Sequence, residues 1–167
     1  MGLLDVFKTK EEKVEFPLSL KATARGRIVE MKDIPDPVFS GGMVGPCIGI
    51  EPTDSSIVAP CNGKIIQLSD TLHAFGIEGD GGVQILVHIG IDTVEMKGDG
   101  FEAKVKVGDL VKAGQTIVEV DFDKVKEAGH PTVVITIVAN ASNYSKVEFV
   151  DKESVILNDD IATIDNV

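Results

Sequence analysis

The chain has 167 residues, 43% of them hydrophobic, and its 16 basic and 27 acidic side chains give a formal net charge of -11. This length and apolar content predict one folded domain with its own core. The negative charge argues against a nucleic-acid-binding protein, because phosphates would be repelled and the sequence has no basic stripe to contact them.

The first sixteen residues follow a different pattern from the rest of the chain. Leu3, Leu4 and Phe7 give a short apolar helical face, and a charged run follows it. We expect residues 1–16 to form a flexible segment or a short amphipathic helix, and residues 17–167 to form the folded domain. The apolar face is too short for more than peripheral membrane contact.

The sequence also indicates a cellular compartment. It has no run near the roughly 20 apolar residues that a spanning helix needs, and it lacks the apolar segment of a signal peptide. Cys47 and Cys61 do not form a CxxC pair, and we expect two free, buried thiols rather than a disulfide. These features predict a cytoplasmic protein.

From Pro17 onward, short apolar runs alternate with turn clusters, and the 17 glycines of the chain support this pattern. The spacing is typical of an all-β domain with antiparallel strands. The turn clusters are Gly41-Gly42, Asn62-Gly63, residues 79–82 and residues 97–100.

The segment Asp36-Pro37-Val38-Phe39, followed by Ser40-Gly41-Gly42, is predicted to be a loop. Val38 and Phe39 would then form an exposed apolar patch near carboxylates, which suits docking of a basic protein. The alternative is that both side chains belong to the core.

A short internal repeat links two parts of the chain. Residues 21–31 align with residues 58–68, with alanine, glycine and a following β-branched pair in register. The shared unit is a turn that leads into a strand. Two copies indicate two related halves of a β-sandwich rather than a solenoid, which needs more copies.

The run from Val83 to Thr93 is rich in β-branched residues and contains His88. It predicts a well-packed strand, in which alternating side chains lie on opposite faces. The face with Val83, Ile85, Val87, Ile89 and Ile91 would be core, and the other would carry Gln84, Leu86, His88, Gly90 and Asp92.

On that second face, Gly90 would leave an empty place beside the imidazole. A bulky ligand group would fit in that place next to His88. Asp92 would add a hydrogen-bond acceptor on the same face if the chain stayed extended. The alternative is a core histidine bonded to a backbone carbonyl.

The last third of the chain contains a glycine-turn corner, a short helix and a third histidine. Residues 105–117 resemble the corner of compact β-sandwich carrier domains. Residues 123–129 are the best helical candidate, with Asp123 as N-cap and Gly129 as stop. His130 is expected to be a loop residue without a catalytic role.

Three blocks together resemble the glucose-type enzyme IIA family of the bacterial phosphoenolpyruvate-dependent sugar phosphotransferase system. The most specific is Val87-His88-Ile89-Gly90-Ile91-Asp92-Thr93-Val94-Glu95-Met96-Lys97-Gly98-Asp99-Gly100-Phe101. The others are Thr71-Leu72-His73-Ala74-Phe75 and residues 33–39. The resemblance extends over most of the chain from about Pro17, and it implies an antiparallel β-sandwich or barrel-sandwich hybrid with short helical turns.

The resemblance implies a phosphocarrier and assigns its residues. His88 would accept a phosphoryl group from phospho-HPr and pass it to a cysteine of an enzyme IIB domain for sugar uptake. His73 would be its partner, and Thr71, expected on the same strand face, would fix the tautomer of His73. A protein-docking surface is implied at Asp36, Val38, Phe39, Val44, Leu86, Asp92 and Val94.

The same resemblance bears on cofactors and further partners. The transfer requires no metal, although His73 and His88 together would bind zinc weakly if a partner carboxylate completed the site. Regulatory partners beyond HPr and enzyme IIB are possible for such a carrier.

Two rival functions remain at this point. A biotinyl or lipoyl carrier domain is suggested by residues 105–115 and by Glu95-Met96-Lys97, which imitates a modified Met-Lys site. A zinc hydrolase of related β architecture would use His73, His88 and His130 as ligands. The second rival lacks the His-x-His pair of such peptidases, since Ile89-Gly90 follows His88.

Overall fold

A computed structural model describes residues 14–166. Within that range the chain forms three sheets in which every strand pairing is antiparallel. The strands are β1 (Leu18–Lys21), β2 (Gly26–Val29), β3 (Cys47–Pro52), β4 (Ser56–Val58), β5 (Gly63–Leu68), β6 (Ala74–Gly79), β7 (Gln84–Ile89), β8 (Phe101–Ala103), β9 (Leu110–Val111), β10 (Thr116–Val120), β11 (Val134–Val138), β12 (Lys146–Phe149), β13 (Ser154–Val155) and β14 (Asp160–Asp165).

The largest sheet has eight strands in the order β13-β2-β3-β11-β7-β6-β5-β9, and two three-stranded sheets have the orders β1-β14-β12 and β4-β10-β8. The main hydrophobic cluster contains residues of all three sheets, such as Val87 of β7, Ile117 of β10 and Ile161 of β14. Burial of this cluster between the sheets is the main stabilising term. The predicted all-β sandwich is confirmed.

The repeat recurs at equivalent places in the large sheet, because β2 and β5 each lie second from an edge. Each strand begins at a glycine that a neighbouring backbone approaches closely. A Cβ at Gly26 would lie 1.9 Å from the oxygen of Glu51, and one at Gly63 would lie 2.2 Å from the oxygen of Glu78. The shared glycine is therefore required by strand packing in both copies.

The outer face of the large sheet carries a second, smaller hydrophobic cluster. It includes Cys47, Ile135 and Ile137, and the partly buried Phe39 and Val44 pack against it. All five residues of β11 are buried, because the segment between β2 and β3 covers this part of the outer face. The cover ends beside β7, where Leu86 and His88 are only partly buried.

The predicted loop at residues 36–42 was wrong, since Pro37–Ser40 form a one-turn helix, α1. The Asp36 side chain caps it by accepting a hydrogen bond from the Val38 N–H, and Pro37 occupies its first turn, where no amide donor is needed. The turn contains no fully buried residue.

The second helix, α2, spans Phe122–Glu127 rather than residues 123–129. The N-cap is Asp121 and not Asp123, because the Asp121 carboxylate accepts from the amides of Asp123 and Lys124. The predicted stop at Gly129 is confirmed, because this glycine has φ +86°, a left-handed conformation that ends the helix.

Three further expectations concern membrane-spanning helices, the cysteines and the N-terminal segment. Among the described residues, no helix is long and apolar enough to cross a membrane. Cys47 and Cys61 are both free, as predicted, but only Cys47 is buried and Cys61 is partly exposed. Nearly all of the N-terminal segment 1–16 lies outside the described residues, so its expected flexibility or helical form stays a prediction.

Candidate functional site

His88 lies in β7, opposite Ala74 of β6 and Ile135 of β11. The predicted alternation is confirmed on the inner face, where the side chains of Val83, Ile85, Val87, Ile89 and Ile91 are all buried. The imidazole is on the opposite face, at the border of the covered region. One side of the ring packs at 4.9 Å from the Phe39 ring, centroid to centroid.

A single backbone contact determines the tautomer of His88. Its Nδ1 lies 2.8 Å from the carbonyl oxygen of Gly90. A carbonyl oxygen only accepts hydrogen bonds, so Nδ1 carries the proton and donates. In the neutral ring, Nε2 therefore keeps its lone pair.

The electrostatic environment favours this neutral form. Burial lowers the pKa of His88 below 6.5, and the neighbouring His73 lowers it further. The bond to Gly90 and the charges of Asp36 and Asp92 act in the opposite direction without reversing the shift. The imidazole is consequently a neutral base with an available nitrogen near neutral pH.

Gly90 does not leave the open space that the sequence suggested. The strand ends at Ile89, and Gly90 turns with φ +74°. A Cβ there would lie 2.5 Å from Cγ2 of Thr93 and 2.9 Å from the oxygen of Pro131. The glycine is needed because neighbouring atoms fill the site and because the turn aims its carbonyl at the ring.

Asp92 follows in the left-handed region with φ +59°, so the chain does not stay extended as the expectation required. The Thr93 hydroxyl, which is completely buried, donates to the oxygen of Ile89 at 2.5 Å. This bond holds the turn that carries Gly90, Asp92 and Val94 at the end of β7. A 3-10 turn over Thr93–Met96, which contains Val94, follows directly.

His73 is the second imidazole, and its ring centroid lies 5.1 Å from that of His88, nearly perpendicular to it. His73 and Thr71 lie in the turn before β6 rather than on a strand face, which corrects the expected geometry. The hydroxyl of Thr71 is nevertheless 2.5 Å from Nδ1 of His73. Burial lowers the pKa of His73 as well.

Sequence reasoning missed Ser69, whose hydroxyl lies 3.3 Å from the same Nδ1. Its position four residues before the histidine, in a turn, was the available signal. A bond from His88 to a backbone carbonyl was expected only under the core-histidine alternative, and sequence reasoning did not identify Gly90 as the acceptor, because every residue carries a carbonyl.

The residues expected at a docking surface lie on the elements around His88. Val38 is 42% exposed and Val94 49% exposed, while Phe39, Val44 and Leu86 are partly buried against the second cluster. The acidic members are Asp36, which caps α1, and Asp92, in the turn after Gly90. These seven residues are called the rim; of them, Phe39 packs on the imidazole, and the charges of Asp36 and Asp92 act on it.

His130 is a loop residue, as predicted, but its side chain is largely buried. Its Nε2 is 3.9 Å from a carboxylate oxygen of Glu95. Within residues 14–166, no three His, Cys, Asp or Glu side chains are grouped so as to hold a metal ion. His73 and His88 alone supply two nitrogen donors, fewer than the protein ligands of ordinary zinc sites.

Comparison with known proteins gives consistent matches. Residues 18–144 match the family model described as phosphoenolpyruvate-dependent sugar phosphotransferase system, EIIA 1. The glucose-specific EIIA component of Halalkalibacterium halodurans is 43% identical over 131 residues, which is 78% of this chain and 72% of that protein. The protein of the same name from Buchnera aphidicola is 38% identical over 144 residues, 86% of each chain.

A solved structure agrees with the sequence matches. The glucose permease IIA from Mycoplasma capricolum superposes with a TM-score of 0.79 at 32% identity, over 89% of this chain and 96% of that one. These findings do not favour either rival, the biotinyl or lipoyl carrier or the zinc hydrolase. The chain belongs to the EIIA 1 family of the phosphoenolpyruvate-dependent sugar phosphotransferase system and is a phosphotransferase system component for sugar uptake.

Proposed function

We propose that His88 is the phosphoryl-carrying residue of this component, and that it receives the group from phospho-HPr and passes it to a cysteine of an enzyme IIB domain. The observation that carries this proposal is the bond between His88 Nδ1 and the Gly90 carbonyl, beside a second imidazole. That bond leaves Nε2 as the nucleophile. Attack needs a neutral nitrogen, and burial keeps the ring neutral.

In the first transfer, one N–P bond forms as another breaks. The Nε2 lone pair forms the new N–P bond while the donor's N–P bond breaks and leaves its electron pair on the donor imidazole. His88 keeps its Nδ1 proton, so the phosphorylated ring is cationic and its N–H bond to Gly90 strengthens. In the second transfer, a thiolate attacks phosphorus and the electron pair returns to Nε2.

His73 has the supporting role in this proposal. If its Nδ1 accepts from the Thr71 hydroxyl, its proton is on Nε2, which then donates to a phosphoryl oxygen. A donor placed in this way stabilises charge on the equatorial oxygens during transfer. Loss of one such donor typically slows a reaction by on the order of a hundredfold or more.

The rim around His88 is proposed as the docking surface for HPr and the enzyme IIB domain. Its exposed apolar members are Val38 and Val94, its half-buried ones are Phe39, Val44 and Leu86, and its acidic ones are Asp36 and Asp92. A surface of this kind, with apolar centre and carboxylates, fits a partner with a basic patch.

We further propose that transfer requires no metal ion, since the two imidazoles supply the nucleophile and a donor directly. Zinc binding at His73 and His88 would need a further ligand, such as a carboxylate from a partner. The proposed location is the cytoplasm, which the two free thiols of Cys47 and Cys61 fit.

The test is incubation with phosphoenolpyruvate, enzyme I and HPr, followed by measurement of acid-labile phosphate on the protein. We expect label on the wild type and none on His88→Ala. His73→Ala should take up label but pass it to enzyme IIB slowly. His130→Gln is the matched control and should behave as wild type; undiminished label on His88→Ala would end the proposal.

A further inference from the structure

Ser69 closes the loop that carries Thr71 and His73. Its amide donates to the carbonyl of Ala74 at 3.0 Å, and its hydroxyl oxygen accepts from the amide of Ala74 at 3.1 Å. Its own carbonyl accepts from the amide of Leu72 at 2.9 Å. Three bonds from one residue therefore fix the path of the chain from β5 into β6.

The loop needs such fixing because it holds an unfavourable backbone conformation. Leu72, between Thr71 and His73, has φ +60°, a left-handed conformation that a branched side chain rarely adopts. The side chain of Leu72 is partly buried against the main cluster. Strain of this type persists only where the surroundings over-determine it, and it is concentrated at functional positions.

The Ser69 hydroxyl has a second contact, with the His73 ring. Because its oxygen already accepts from Ala74, its proton is free to be donated to Nδ1 of His73 at 3.3 Å. The Thr71 hydroxyl faces the same nitrogen at 2.5 Å. Nδ1 of His73 thus faces two hydroxyls, and donation from either one leaves the ring proton on Nε2.

We propose that Ser69 is a positioning residue for His73 and acts together with Thr71, so that either hydroxyl alone keeps the ring in its Nε2–H tautomer. The role in phosphoryl transfer depends on the proposed function, but the effect on the tautomer does not. A single hydroxyl suffices because Nδ1 has one lone pair to satisfy. Removal of both leaves the tautomer to be set by solvent.

The experiment measures the tautomer of His73 in the unphosphorylated protein by long-range proton–nitrogen correlation spectra. The variants are Ser69→Ala, Thr71→Val and the double variant, with Ser142→Ala, an exposed serine outside the loop, as control. We expect the Nε2–H pattern to persist in both single variants and to give way to mixed tautomers in the double variant. Either a double variant that keeps the pattern, or a Thr71→Val variant that loses it, overturns the proposal.

Rates of onward transfer to enzyme IIB give a second readout. Each single variant should lose less than about threefold, and the double variant on the order of tenfold to a hundredfold, as for other residues that orient a ligating or reacting group. A Ser69→Thr change in the Thr71→Val background retains a hydroxyl and should keep the rate. If His88→Ala still carries label, the proposed function fails while the tautomer result stands.

A purely structural role for Ser69 would give a different pattern. Loss of the loop bonds alone would change the backbone amide spectra of residues 69–74 equally in Ser69→Ala and in the double variant. The non-additive change in the tautomer and rate of the double variant would then be absent, and that outcome also overturns the proposal.

Discussion

Gly90→Ala tests whether the turn after β7 positions the imidazole. The new methyl group would be placed at φ +74°, and it would lie 2.5 Å from Cγ2 of Thr93 and 2.9 Å from the carbonyl oxygen of Pro131. The left-handed conformation costs an alanine about 1–2 kcal/mol. Overpacking against buried neighbours adds about 1–3 kcal/mol, so the free energy of unfolding should fall by roughly 2–5 kcal/mol.

The chain offers a matched control at Gly108. This glycine has φ +96°, and a Cβ there would meet nothing within 4 Å. Gly108→Ala has the same conformational cost without the clash, so urea unfolding should separate the two variants by about 1–3 kcal/mol. Gly90→Ala should also slow phosphorylation of His88, because the carbonyl that holds Nδ1 moves. Equal losses of stability in both variants would refute the reasoning.

Three further outcomes follow from the buried groups. Burial lowers the pKa of His88 below 6.5, so the unfolded chain binds more protons, and stability is lost as pH falls through 6.5. Between roughly pH 7.5 and pH 5, the free energy of unfolding should therefore decrease less in His88→Gln than in the wild type. Equal decreases in the two proteins, measured by urea unfolding at both pH values, would contradict this. The hydroxyls of Thr23 and Thr136 pair at 2.9 Å and are fully buried. Thr136→Val should cost about 1–3 kcal/mol, and adding Thr23→Val should recover part of it, whereas additive losses in a double-mutant cycle would exclude the pair. Burial raises the pKa of Cys47 to about 11 and of Cys61 to about 12, so iodoacetamide should modify neither near neutral pH until urea unfolds the protein, as mass spectrometry would reveal.

The strands were predictable where local pattern and tertiary environment agree. In β7, alternation from Val83 to Ile91 identified the buried face because one side of the strand faces the main core. In β11, all five residues are buried, so no alternation marks the face against which Ile135 packs. The segment from Met31 to Val44 covers that face through contacts with residues distant in the chain, which a local sequence pattern does not reveal.

The site was predictable as residues but not as geometry. His88 and His73 were identified by a pattern, and their 15-residue separation gives no distance between the rings. Ala74 directly follows His73 and pairs with His88 across the sheet. This pairing brings the centroids of the two imidazole rings to 5.1 Å from each other. The N-cap of α2 was misplaced by two residues because Asp121 and Asp123 are equally good caps by type.

The place of His88 at the border of a covered region reconciles two conflicting requirements. A reacting imidazole must be neutral and fixed, which burial achieves, yet it must also be reached by another protein. On the covered side, Phe39 packs against the imidazole ring and restricts its motion. On the other side lies the His73 ring, and farther along the outer face of β6 and β5 the side chains of Glu78 and Lys64 are exposed. A fully covered sheet would bury the nucleophile and a bare one would leave it mobile and protonated more readily, so the partial cover is the feature of this fold that makes a transfer site possible.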